Sequence, residues 1–164
     1  MVLAHHQGSR LAGFIESKIE TWLGLELNRT KTKVVNLRQP GAGVEFLGYT
    51  FRYDRDLRGR GHRYLNVIPS RKAMQTHRDK LRKTISRGQG FVPVTRLIET
   101  VNRQQRGWAN YFSFGYPLKA MREMNWYVVD RLVGHLRRRS RRPFRPPEGR
   151  SYYRHLKQLG LIYL

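Results

Sequence analysis

The 164-residue chain carries 33 Lys and Arg against 11 Asp and Glu, a formal net charge of +22. Such an excess repels itself unless a polyanion neutralises it, so nucleic acid is the expected partner and an anionic membrane the weaker alternative. With no cysteine there is no disulfide framework or thiolate zinc site, and no apolar run nears the roughly 20 residues of a bilayer span. The start, "MVLAHHQGSR", lacks the apolar centre and cleavage site of a signal peptide, which leads us to expect a cytoplasmic protein. Residues 1–50 hold six basic and four acidic side chains, and residues 51–164 hold 27 and seven. The polyanion-binding part is therefore expected downstream of residue 50.

In chain order, Ser9 is placed to cap a helix whose Leu11, Phe14, Ile15, Ile19, Trp22 and Leu23 follow a 3.6-residue period. "GLELN" and "TKVVNL" read as short strands around a polar turn at 28–30. "GVEFLGYTFRY" has the aromatic and β-branched content of a pleated surface, and "RYLNVIP" can pair with it through the turn "RDLRGRG". From Ser70, a plausible N-cap, the pattern turns helical: Met74, His77, Leu81 and Ile85 share a face, with Gly88 as a stop. After Pro93 a second stripe comprises Leu97, Ile98, Val101, Gln105, Trp108 and Phe112. A third follows Pro117, with Leu118, Met121, Asn125, Val128, Leu132 and Leu136. Prolines in "RRRSRRPFRPPEG" break the pattern before a last short helix, "SYYRHLKQLGL". The fold class expected is α+β, a small antiparallel sheet followed by a three-helix bundle.

Acid–base or metal chemistry needs converging carboxylates, histidines or thiolates. The six histidines (5, 6, 62, 77, 135 and 155) show no ligand spacing. Asp54 and Asp56 are spaced like a metal pair, but the arginines of "RYDRDLRGR" favour a salt-laced turn. No phosphate-binding or nucleophile motif occurs, so no catalytic residue and no metal ligand is expected. The basic residues say more. Arg71, Lys72, Arg78, Lys80, Arg82 and Lys83 flank the first bundle stripe, and Arg131, Arg137, Arg138, Arg139, Arg141 and Arg142 run through the end of the third helix. Few carboxylates stand at i±4 to absorb these charges. In "RGWANYF" (106–112), Trp108 and Phe112 continue the buried stripe and are expected in the core. Arg106, Asn110 and Tyr111 fall on other faces, where they can bond phosphates, read base edges or stack on bases.

"RGWANYF", after "VNRQQ" and before "YVVDRLVGHLRRRSRR", resembles the maturase domain (domain X, or thumb) of the reverse transcriptase–maturases encoded by group II introns. "LGLELNRTKTKVVNL" followed by "GVEFLGYTF" is similar to the last palm strands of those enzymes, and the final 20 residues to the C-terminal region of some bacterial members. The resemblance implies a palm remnant over residues 1–68, the thumb over 69–140 and a basic extension over 141–164. It implies that Phe46, Leu47 and Gly48 match a primer-gripping "FLG" segment and Lys31 a palm lysine near the incoming nucleotide. Family members carry a YADD hairpin with metal-binding aspartates just before a strand similar to "MVLAHHQG", and no YADD occurs in this sequence. The function so implied is binding of structured intron RNA to assist splicing, with no cofactor. Mg²⁺ would enter only if a catalytic N-terminal half completed the chain. Two alternatives stand beside it: the C-terminal half of a split RNA-directed DNA polymerase, or a remnant with non-specific nucleic-acid affinity. DNA, an RNA–DNA hybrid and an N-terminal reverse-transcriptase fragment are further expected partners; a membrane is not.

Overall fold

Each element below is built from a computed structural model of the chain, which describes residues 2, 4, 8–56, 60–139, 142, 144–147 and 149–164. His5, His6, Arg58 and Arg141, singled out above, lie outside the described residues. The first helix, α1 (Ser9–Ser17), starts on the residue expected to cap it, with Gly8 one residue earlier in the N-cap position. It runs into a π-helical turn at Lys18–Trp22. Its apolar face is not buried: Phe14, Trp22 (75% exposed), Leu23 and Leu25 all face solvent. Periodicity makes the helix amphipathic without supplying a surface to cover it.

The strands expected in "GLELN" and "TKVVNL" do not form. Asn28 instead closes a turn, its Oδ1 accepting from the Lys31 amide at 3.1 Å and from the Thr30 hydroxyl at 2.7 Å. Val34 is exposed, and with no neighbouring strand its β-branched preference has nothing to pair with. The sheet begins with β1 (Gly43–Phe46), β2 (Tyr49–Arg55) and β3 (Arg63–Pro69), in the order β1-β2-β3 and antiparallel throughout. "GVEFLGYTFRY" is thus a hairpin: Phe46 pairs with Tyr49 across a two-residue loop of Leu47 and Gly48. Both loop residues have positive φ, 49° and 81°. That geometry suits Asn-Gly, so Leu47 holds a conformation costing about 1–2 kcal/mol for a side chain of its kind. The Asp54 carboxylate pairs with Arg52 at 2.9 Å and accepts from Asn66 Nδ2 at 2.6 Å, as the salt-laced reading expects.

α2 (Arg71–Thr84) is capped as the sequence indicates, the Ser70 Oγ accepting from the Ala73 amide at 3.1 Å. It ends at Thr84, before Gly88, and a short 3₁₀ turn (Arg87–Gln89) leads to α3 (Val94–Tyr111). α4 (Leu118–Arg138) and α5 (Tyr152–Gln158) complete the chain, so the α+β expectation holds, with the three bundle helices and the last short helix all present. The α2 and α3 stripes are buried as expected, down to Phe112. The α4 stripe is buried as expected at Val128, Leu132 and Leu136, with Met124 and His135 buried beside them, whereas Met121 and Asn125 are half-buried and Leu118 is exposed. Leu156 and Leu161 lie in the same core as Leu81, Ile98 and Leu132. The basic segment after residue 141 is therefore anchored by the bundle's own core. A second cluster of Met74, Trp108, Phe112 and Met124 sits beneath the sheet-proximal end of the helices.

Candidate nucleic-acid interface

The two sequence motifs meet. The Ser70 amide, at the head of α2, donates to the Gly48 carbonyl at 2.7 Å, which docks the β1–β2 loop onto the start of the bundle. A Cβ on Gly48 would stand 3.4 Å from the Phe112 ring, so the "FLG" loop packs directly on the last residue of "RGWANYF". Two further bonds hold them. Tyr111 donates its phenol to the Leu47 carbonyl at 2.9 Å, and the Tyr49 phenol donates to the Tyr111 carbonyl. The Tyr49 and Tyr111 rings stack with centroids 5.8 Å apart. Partial burial and the neighbouring Tyr111 phenol push the Tyr49 hydroxyl above its ordinary pKa, so it stays protonated and able to donate.

Beside this junction runs an open groove of about 860 Å³ between α2, α3 and the hairpin loop. From α2 it takes Lys72, Thr76 and Lys80, at i, i+4 and i+8 on one helical face. From α3 it takes Thr100, Arg103, Gln104 and Gly107, and from the loop Glu45 through Gly48. Three cations and one carboxylate thus face a trough whose other polar groups are hydroxyls and amides. Its floor is aromatic: the His77 and Trp108 rings stack 5.1 Å apart at 13°, and Phe112 lies 5.0 Å beyond Trp108. His77 Nε2 donates to Gln105 Oε1 at 2.8 Å. Burial first, and the Lys80 charge after it, lower the His77 pKa against the opposing bond to Gln105, so the ring is neutral at pH 7. Such a floor is rigid and uncharged, and the cations project from its walls.

The groove gathers only part of the expected residue set. Phe46, Leu47, Gly48, Lys72 and Lys80 line it, and Trp108 and Phe112 form its floor. Arg71, Arg82, Lys83, Arg106 and Asn110 are exposed outside its lining, as are Arg138, Arg139 and Arg142. Several expected RNA contacts are engaged in the fold, Tyr111 through its bond to Leu47 and Arg82 through Asp79 at 3.7 Å among them. Arg78 pairs with Glu123 on α4 at 3.3 Å, and Arg131 reaches the Ile85 carbonyl at the end of α2, 3.5 Å away. Arg137 lies over the Tyr152 ring, 5.2 Å from its centroid. Lys31 sits in the turn after Asn28, away from the groove lining. The sequence reading missed Thr76, Thr100, Arg103, Gln104 and Gly107. Their signal was a second i, i+4 pattern of polar residues and glycine beside the apolar stripes of α2 and α3.

Among the described residues, no group of three or more His, Cys, Asp or Glu is arranged to hold a metal ion, and no helix is long and apolar enough to cross a membrane. Comparison with curated proteins finds no match. Residues 74–156 match the family model of the group II intron maturase-specific domain. The matched half of the chain runs from the first turn of α2 into α5, taking in both helical walls of the groove from Met74 onward and the whole of "RGWANYF".

Proposed function

Because the chain belongs to the group II intron maturase-specific family, its function is maturase-related, and we propose that it binds structured intron RNA and assists splicing without polymerising nucleotides itself. One observation carries the reading: the cationic groove between α2 and α3, with Lys72, Lys80 and Arg103 on its walls and the strained Leu47–Gly48 loop at its end. Lysine and arginine neutralise phosphates and release counterions, while Thr76, Thr100 and Gln104 offer partners to 2′-hydroxyls. The chemistry of splicing belongs to the RNA; the protein supplies cations and a shaped surface that favour one folded form of it. The test is a filter-binding titration against structured intron RNA over a range of salt. Binding should weaken steeply, with a log–log slope implying about 6–10 phosphate contacts. Replacing Lys72, Lys80 and Arg103 with Gln should flatten that slope by about three contacts, and an unchanged slope refutes the groove as the interface.

A second reading, the C-terminal half of a split RNA-directed DNA polymerase, is supported by the uncovered apolar side chains Phe14, Trp22, Leu23 and Leu25. A partner fragment carrying the catalytic palm would cover them. Primer extension by the mixture, absent from either part, distinguishes this reading from the first.

A further inference from the structure

Trp126 is 79% exposed in the middle of α4. The rest of that helix is well used: Met124, Val128 and Leu132 face the core, and Glu123 and Tyr127 face α2 through bonds to Arg78. Asn125 holds the last residue of the chain, its Nδ2 donating to the Leu164 carbonyl at 2.9 Å and its Oδ1 accepting from the Leu164 amide at 3.0 Å. Trp126 therefore projects from a side of α4 that has no neighbour among the described residues. Among the described residues no ring, cation or hydrogen-bond partner is recorded against it. Exposure alone would not single this ring out, since other large apolar side chains of the chain are exposed too; its surroundings do.

Its surroundings indicate the occupant. On a helix, residues one, two and three turns away share its face. These are Arg122 at i−4, Lys119 at i−7 and Arg137 at i+11, all exposed. The acids nearest in sequence are Glu123, already paired with Arg78, and Asp130 at i+4, which leaves the N-terminal side of the indole the more cationic. A flat π-surface flanked by cations fits an unpaired nucleobase, the ring stacking on the indole and the adjoining phosphates meeting Arg122 and Lys119. A base inside a duplex already has its stacking partners and gains nothing here. No residue of α4 lines the groove between α2 and α3, so the platform is a separate place on the surface.

We propose that Trp126, with Arg122 and Lys119, is a stacking platform for an unpaired base of RNA. It rests on the RNA-binding reading and adds a single-stranded contact to it. The test uses the full chain with Trp22→Phe, so that emission comes from buried Trp108 and exposed Trp126. The probes are a 12-nucleotide oligo(A) and a blunt 12-base-pair RNA duplex at fixed salt. The single strand should quench emission and the duplex should not. Trp126→Ala should weaken oligo(A) binding about tenfold, leave duplex binding unchanged, and keep the parent melting temperature, while Trp126→Phe retains most of the affinity. Equal oligo(A) affinity for the parent and Trp126→Ala overturns the platform, and so does undiminished quenching in Trp126→Phe. If salt-dependent duplex binding survives that result, the platform alone falls. If the parent binds neither probe, the RNA-binding reading falls with it.

Discussion

The Tyr111 phenol donates to the Leu47 carbonyl across 64 residues of sequence, at 2.9 Å. It thereby ties the last turn of α3 to a hairpin loop in which Leu47 has a φ of 49°. A residue expected from its sequence position to face RNA is thus also a clasp between sheet and bundle, while remaining 56% exposed. Tyr111→Phe keeps the stack on Tyr49 and removes only the phenol bond. It should cost about 0.5–1.5 kcal/mol in urea unfolding. Because it loosens the loop at the groove's end, it should also weaken RNA binding at constant salt. Parent-like stability in Tyr111→Phe would mean that the loop is held by Ser70 and Phe112 without it.

How much was legible in the sequence follows from what each pattern reports. The stripes of α2 and α3 are readable because every member is buried along one face, Leu81, Ile85, Leu97, Ile98 and Val101 in one core cluster and Met74, Trp108 and Phe112 in the other. On α4 the expectation holds at Val128, Leu132 and Leu136 and fails only near the start of the helix. Leu118 lies in the first turn, where the helix has not yet reached its neighbours, and Met124 takes its burial instead. The α1 stripe reported amphipathicity but not coverage, and "TKVVNL" reported β-branched content but not a pairing strand. The sequence presents the hairpin as one extended run because Leu47 is a poor turn residue. Its positive φ is fixed by Gly48, Ser70 and Tyr111, contacts that no local rule contains. The groove was half legible. Lys72 and Lys80 stood out as charges, while Thr76, Thr100, Gln104 and Gly107 acquire meaning only when two helices face each other across it.

The end of the chain is held by a pair of asparagines rather than by apolar contact alone. Asn102 Nδ2 donates to the Gly160 carbonyl at 2.7 Å, and its Oδ1 accepts from the Ile162 amide at 3.0 Å. Asn125 does the same with Leu164. Between these clamps Leu161 enters one core cluster, and Leu164 packs against the other. Asn102→Ala leaves two tail groups without their partner and should cost about 1–3 kcal/mol. Hydrogen exchange gives the sharper readout: the Ile162 amide should lose protection well before amides in the middle of α3. Simultaneous loss in both places would show that the tail and α3 unfold as one unit.

Stability should fall on mild acidification, through histidine. Burial lowers the pKa of His77, and burial with the charges of Arg139 and Arg138 lowers that of His135, against a bond to the Ser86 backbone. Both rings are harder to protonate in the folded chain than in the unfolded one, whose histidines titrate near 6.5. The unfolded state therefore takes up more protons below that pH. The stability tied to these rings is complete above about pH 6.5 and is lost as pH falls through their lower folded values. Thermal melts between pH 7.5 and 5 should show a decline that His77→Gln and His135→Gln together make shallower. An equally steep decline in the double variant would assign it to other groups.

The last prediction concerns Gly107, and it sets stability against binding. Glycine in the interior of a helix costs roughly 0.5–1 kcal/mol relative to alanine, through the freedom it loses on folding. At Gly107 no crowding requires that cost, because a Cβ built there meets nothing within 4 Å. Gly115 is the contrast. Its φ is +83° and a Cβ would run into the Val67 carbonyl, so there the fold itself demands glycine. Gly107 lies on the groove wall beside Arg103 and Gln104, where a bare stretch of helix backbone lets a ligand's backbone approach closely. Gly107→Ala should therefore raise stability by about 0.5–1 kcal/mol in urea unfolding and weaken RNA binding at the same time. A Gly107→Ala protein that is more stable and binds RNA as tightly as the parent would place the RNA elsewhere on the surface.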